Sequence, residues 1–195
     1  MDAKRARIFH SAARLFAERG FDGVTTRAIS DAADVAEGTL FRYAESKAEL
    51  LLMVYNVELE AAIAAGRAAA ERLVDPAEAV FALVQKVLER NQRPENATHY
   101  QRELLYGSGV SRHRAEGLEH VASLERAVAA TLLRSTGGTG EESVAAAGRA
   151  SRLVFSALHL ALAETSTQAH PDTAPAAELR AQVDLVVRGF LATVS

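Results

Sequence analysis

The stretch FDGVTTRAISDAADVAEGTLFRYAESKAELL, residues 21–51, decides the fold. In its opening turn Phe21 and Val24 are too apolar to be left in solvent. Thr25 precedes a helical run whose first turn its hydroxyl can cap, and Ile29 with Ala32 or Ala33 forms that run's only buried face. A further short helix follows from Ala36 or Glu37 to Tyr43, with Leu40 as its inward residue. The pair, Thr25 to Asp34 and Ala36 to Ala44, is joined through Val35 with almost no linker. Such a joint forces a steep crossing and makes one helix project. Ser46 can then cap a longer helix, whose apolar stripe continues through Leu50, Leu51, Val54 and Val57.

Working outward, helical periodicity dominates on both sides. Upstream, Ile8, Ala12, Leu15 and Phe16 form one stripe that ends at Gly20, a natural helix stop. Downstream, Asp75-Pro76-Ala77-Glu78 combines a capping Asp, Pro at the first helical position and Glu at the third. That helix carries Val80, Leu83, Val84, Val87 and Leu88 and is expected to end near Asn91. Pro94 separates a shorter helix around Tyr100 to Tyr106, stopped by Gly107 to Gly109. Long helices are expected over about Ser111 to Arg134, Glu141 to Glu164 and Ala176 to Val194, the first closed by Gly137 and Gly138. No alternating strand run and no 20- to 50-residue repeat is present. The expectation is an all-α chain of about nine helices.

Composition narrows the function classes. The chain has 195 residues, 49% hydrophobic and 24% charged, with formal net charge −3. That suits one ordinary globular domain, or a small one fused to a medium one, and excludes a disordered or tail-like protein. Without cysteine there is no disulfide framework and no thiolate metal or redox site. No apolar run reaches the roughly 18 residues of a membrane span, and MDAKRARIFH lacks the apolar stretch of a secretory signal. A cytoplasmic protein is the expectation. The negative balance argues against a general nucleic-acid coat, though local DNA contact depends on where the cations sit.

The projecting helix reads EGTLFRYA, residues 37–44. Short polar side chains at the start of such a helix suit a DNA major groove. Gly38 and Thr39 are small enough for close backbone approach, Arg42 can reach a guanine edge with two hydrogen bonds, and Phe41 can touch a thymine methyl. Spacing alone leaves a second reading open, a helical hairpin in an ordinary bundle.

These residues resemble the N-terminal signature of the TetR family of bacterial transcriptional regulators. The resemblance rests on Thr25-Thr26, Ile29, Ala32-Ala33, Val35, Gly38-Thr39-Leu40, the aromatic Phe41, Tyr43, Ser46-Lys47 and Leu50. Ala13, Leu15, Phe16 and Gly20-Phe21 fit upstream, so about 45 residues are covered in matching order. It implies a three-helix helix-turn-helix DNA-binding domain over 1–46, the motif at about 25–44, and a helical ligand-binding and dimerisation domain over 47–195. It also implies roles. Thr25, Thr26 and Arg27 would stand at the DNA backbone, and Glu37 to Tyr43 would be the recognition helix, with Glu37, Gly38, Thr39, Phe41 and Arg42 facing DNA. Tyr43 and Lys47 would each meet a phosphate.

Four positions depart from the family pattern. Asp34 stands where Gly is usual, at a cost of about 1 kcal/mol if the residue is left-handed. Ala36 replaces a frequent Ser and loses a cap worth about 1 kcal/mol. Ala44 stands where a large aromatic is usual, which implies repacking beneath the helix. Phe41 lacks the hydroxyl of the commoner Tyr. Residues 1–50 hold eight Lys/Arg and eight Asp/Glu, so non-specific affinity should be modest.

In the larger domain, RLVFSALHLALA (152–163) is apolar nearly all round, so it must be covered on more than one side. With the stripe of the last helix this predicts a two-fold homodimer through Leu153, Ala157, Leu160, Ala161, Val186, Val187 and Phe190. A small-molecule effector is expected between the fourth helix and residues 75–134, lined by Tyr55, Gln85, Tyr100, Arg102 and Tyr106. Enzyme signatures are missing: there is no G-x-S-x-G elbow, phosphate-binding glycine loop or HExxH, so no catalytic residue and no cofactor is expected. His113 and His120, seven apart, lack a third ligand at metal-site spacing and read as structural or surface residues, so no metal is expected. The function expected is a dimeric repressor of a palindromic double-stranded DNA operator, released by an unknown small molecule. The alternative is a helical small-molecule-binding protein or enzyme that keeps the motif without using it.

Overall fold

The computed structural model describes residues 3–90, 94–107, 111–167 and 172–194. Among these every regular element is helical: α1 (Ala3–Arg19), α2 (Thr26–Ala32), α3 (Glu37–Leu40), α4 (Lys47–Ala70) and α5 (Pro76–Glu89). Then come α6 (Pro94–Gln101), a π-helical turn (Arg102–Tyr106), α7 (Arg112–Thr136), α8 (Glu141–Thr167) and α9 (Pro175–Val194). The all-α expectation holds. No helix among the described residues is long and apolar enough to cross a membrane.

The chain falls into two compact units, Met1–Glu58 with Gln92–Leu118 and Leu59–Asn91 with Glu119–Ser195. In the first, Ile8, Ala12, Leu15 and Phe16 of α1 are buried with Val24, Ile29, Ala33 and Leu40, so the expected stripes make one small core. Gly20 ends α1 at φ 72°, a conformation that costs glycine nothing. The α4 stripe is wider than expected: Leu50 to Asn56 are all buried, whereas Val57 is exposed. In the second unit Leu179, Val183, Val187 and Phe190 of α9 pack in a core with Ala147, Val154 and Leu158 of α8 and Val80, Leu83 and Val84 of α5. Gly66 lets α4 touch α5 backbone to backbone, for a Cβ there would stand 2.7 Å from the Leu83 carbonyl oxygen.

The caps act where the sequence puts them. The Thr25 hydroxyl accepts from the Ala28 N–H at 3.1 Å, Ser46 from Glu49 at 3.1 Å and Asp75 from Glu78 at 2.9 Å. Two helices differ from expectation. Regular α-helix in the projecting segment stops at Leu40, not Tyr43, because its last turn winds tighter. Arg42 and Tyr43 donate three residues back, to Thr39 and Leu40, at 3.2 and 2.9 Å. The helix expected around Tyr100 begins instead at Pro94, whose missing N–H costs nothing at a first helical position, and its end is the π-helical turn. Of the expected stop at 107–109, Ser108 and Gly109 lie outside the described residues.

Candidate nucleic-acid interface

The first unit builds the α2–α3 crossing from a strained residue. Asp34 has φ 51°, in the left-handed region, and turns the chain between the two helices. The Val35 N–H donates to the Ser30 carbonyl at 3.1 Å, closing that turn. From α1 the Arg7 guanidinium donates to the Asp34 carbonyl at 3.2 Å, so a cation of the first helix secures the joint.

What the crossing presents outward is polar. Arg27, Glu37, Gly38, Phe41 and Arg42 are exposed, and Thr26, Thr39, Tyr43 and Lys47 are half-buried beside them. The Thr26 hydroxyl donates to the Glu37 carboxylate at 3.0 Å, tying the start of α2 to the start of α3. A Cβ at Gly38 would meet nothing within 4 Å among the described residues, so no packing there requires glycine. Lys47 is less free than its sequence role suggests. Its ammonium donates to the Phe21 carbonyl at 2.9 Å and lies 4.2 Å from the centre of the Phe21 ring. Two of its three N–H donors remain for an outside acceptor.

Two residues that the sequence reading did not assign to this site support it from the other half of the unit. Asn96 of α6, wholly buried, accepts from the Phe21 N–H at 2.7 Å and donates to the Phe16 carbonyl at 2.9 Å. One amide thus satisfies two backbone groups at the end of α1. Beside it His99 stacks at 4.3 Å on Phe21 and meets Asp22 at 3.3 Å. His113 of α7 is the second. It is only 2% exposed, its Nε2 lies 3.2 Å from the Tyr43 carbonyl and its Nδ1 lies 2.9 Å from Glu116. Around Ala44, where the resemblance implied repacking, a cavity of about 290 Å³ is lined by Phe41, Tyr43, Glu49, Ser111 and His113 among others. Burial pushes the Glu116 carboxyl up, but hydrogen bonds from Arg112 and His113, with their charge, outweigh it and hold the group below the usual carboxylate range.

Of the expected effector residues, Gln85 belongs to the second unit and the other four to the first. Tyr55 and Tyr100 are buried with ring centres 5.6 Å apart. Gln85 donates to Glu89 at 2.6 Å, Arg102 pairs with Glu103 at 3.3 Å, and Tyr106 is 72% exposed. In the second unit a cavity of about 360 Å³ is lined by other residues: Arg67, Arg126 and Arg134, with Glu71, over a floor of Leu83 and alanines. Arg67 donates to Ser123 and Arg134 to Thr131, at 2.7 and 3.1 Å. Neither has a carboxylate partner among the described residues.

The expected dimer set divides as well. Ala161, Val187 and Phe190 are buried in their own chain and have no surface left to offer, because α9 covers α8 from that side. Leu153 (57% exposed), Leu160 (43%) and Leu185 (66%) remain uncovered, with Ala157 and Val186 half-buried beside them.

Residues 8–54 match the family model described as bacterial regulatory proteins, tetR family. The HTH-type transcriptional repressor KstR of Mycolicibacterium smegmatis is 39% identical over 57 residues, 29% of this chain and 28% of that protein. The match therefore spans about a quarter of the length of such curated relatives. Over nearly the whole chain the fold is similar to that of FadR from Thermus thermophilus, a TetR-family transcriptional repressor solved in complex with lauroyl-CoA. That likeness has a TM-score of 0.74, 24% identity, and covers 95% of this chain and 94% of that one. FadR from Bacillus subtilis, solved with stearoyl-CoA, is similar at TM-score 0.67 and 17% identity, covering 95% and 98%.

Proposed function

We propose that the chain, whose residues 8–54 match the tetR family model and whose fold is similar to that of TetR-family repressors, is itself a sequence-specific DNA-binding transcriptional repressor of that family. It acts in the cytoplasm as a homodimer on a palindromic operator and is released by a small anionic molecule. The observation that carries the reading is the α2–α3 crossing, which turns Gly38 and Arg42 outward. With no side chain at 38, an outside surface can approach the α3 backbone closely. The exposed leucines of α8 and α9 favour the dimer, since an uncovered apolar face of this kind marks an interaction surface. A dimer also supplies what one short helix lacks, because two copies read two half-sites about one helical turn apart.

The cavity lined by Arg67 and Arg134, which have no carboxylate partner among the described residues, supports an anionic effector, since guanidinium forks match carboxylate and phosphate oxygens. Lauroyl-CoA and stearoyl-CoA, held by two proteins of the same fold, are anions of that kind and the natural first probes. Any such ligand releases DNA only by binding one state of the protein better than the other.

The test is selection of duplexes from a random pool with the purified chain, followed by titration of the recovered sequence. A recovered palindrome bound far more tightly than a scrambled duplex is the expected result. Binding without sequence preference, even at low salt, would favour a ligand-binding protein that keeps the motif unused.

A further inference from the structure

Both ring nitrogens of His113 face acceptors. The Tyr43 carbonyl oxygen, 3.2 Å from Nε2, has no proton to give. The Glu116 carboxylate, 2.9 Å from Nδ1, is ionised at neutral pH and accepts only. A neutral imidazole has one N–H and would set a lone pair against one of these oxygens. Two favourable contacts require two ring protons.

The ring is also held from behind. The Asn56 amide of α4 donates to the His113 carbonyl at 2.7 Å, and the Tyr100 hydroxyl of α6 donates to the Asn56 side chain at 2.9 Å. Gly117 is required for this: a Cβ there would stand 2.7 Å from the Asn56 amide oxygen. Ser111, the residue before α7, donates to the buried Glu49 of α4. Other charged groups lining the cavity at this point are Arg5, Arg42, Glu45 and Arg112, and Arg112 pairs with Glu116 at 2.9 Å.

We propose that His113 is a positioning residue: as a buried imidazolium balanced by Glu116, it pins the end of the 37–43 segment through the Tyr43 carbonyl and so fixes the angle at which that segment meets DNA. The proposal rests on the reading of 37–43 as the DNA-contacting segment. It assigns to His113 a role in recognition although the side chain touches no DNA. Without the pin the segment keeps its core anchors, Leu40 and Ala44, but loses the side-chain hold on its last carbonyl and tilts more easily. Tilting harms base readout, which needs aligned hydrogen bonds, far more than phosphate attraction, which does not.

Two measurements on the full chain test this. Nitrogen-15 NMR of the histidine-labelled protein at neutral pH should show a proton bonded to each nitrogen of the His113 ring. A single ring proton would overturn the imidazolium, whatever the protein does with DNA. The second measurement titrates the selected duplex and a scrambled one against wild type, His113→Leu and His113→Gln. Wild-type discrimination between the duplexes establishes the DNA reading itself. Given that, His113→Leu should bind the selected duplex about tenfold more weakly with little change on the scrambled one. His113→Gln, whose amide can still donate to the Tyr43 carbonyl, should recover most of the loss. Equal weakening on both duplexes, or no weakening in a folded Leu variant, would remove the positioning role. If the Leu variant does not fold, the NMR result and the Gln variant's discrimination decide.

Discussion

Arg7 of α1 donates to the carbonyl of Asp34, and Asp34 is the one described non-glycine residue with a positive φ, 51°. The guanidinium thus bonds to the backbone at a strained residue. The Asp34 side chain adds little, since its carboxylate is 4.0 Å from Arg7 and almost fully exposed. Asp34→Gly should therefore stabilise the protein by about 1 kcal/mol, because glycine enters the left-handed region without the Cβ clash. A thermal melt should rise by about 2–4 °C. A fall would mean that the carboxylate matters more than the strain.

Arg42 and Lys47 should separate base reading from backbone attraction. Arg42→Ala is expected to relax preference at one base pair per half-site, costing about 1–3 kcal/mol there, and to leave the melting temperature unchanged. Lys47→Ala should weaken binding across all sequences and make the salt dependence shallower. It should also lower the melting temperature, because the ammonium holds the Phe21 carbonyl and ring. An Arg42→Ala protein whose selected sequences match those of wild type would show that Arg42 reads no base.

The uncovered leucines let the proposed dimer be tested without harming the protomer. Leu153→Glu combined with Leu160→Glu places charge on side chains already 57% and 43% exposed, so the helix should survive. Sedimentation at micromolar concentration should show a dimer for wild type and a monomer for the double variant. Wild type sedimenting as a monomer contradicts the interface.

Acid should weaken the fold in two stages. Burial lowers the proton affinity of His159, so the unfolded chain takes up that proton first as pH falls through the ordinary histidine range. Burial alone would raise Glu116, yet its bonds to Arg112 and His113 and their charge lower it on balance. Its contribution is complete above the unfolded carboxylate range and disappears as pH drops through the folded one. Denaturant titrations against pH should lose the upper stage in His159→Gln and the lower one in Glu116→Gln. An unchanged curve in both would place the acid sensitivity elsewhere.

Much of this was legible from residue order. Thr25, Ser46 and Asp75 announced their helices because a cap is local: donor and acceptor lie three residues apart. The stripe of α1 was readable for the same reason. Asn96 and His113 were not, because they bond to main-chain atoms of Phe16, Phe21 and Tyr43, and a carbonyl carries no residue-type signature. Periodicity likewise showed that α8 is apolar on several sides but not which side α9 would take. Hence Ala161, Val187 and Phe190 were assigned to a partner chain when their own chain covers them.

The amide of Asn96 reaches back 75 and 80 residues to Phe21 and Phe16. A fragment cut after residue 46 would leave the Phe21 N–H without its acceptor and the Phe16 carbonyl with only the Gly20 N–H, at 3.0 Å. The compact unit that holds the α2–α3 crossing runs over Met1–Glu58 and Gln92–Leu118. Grafting this head onto a foreign sensor therefore means transplanting a discontinuous module.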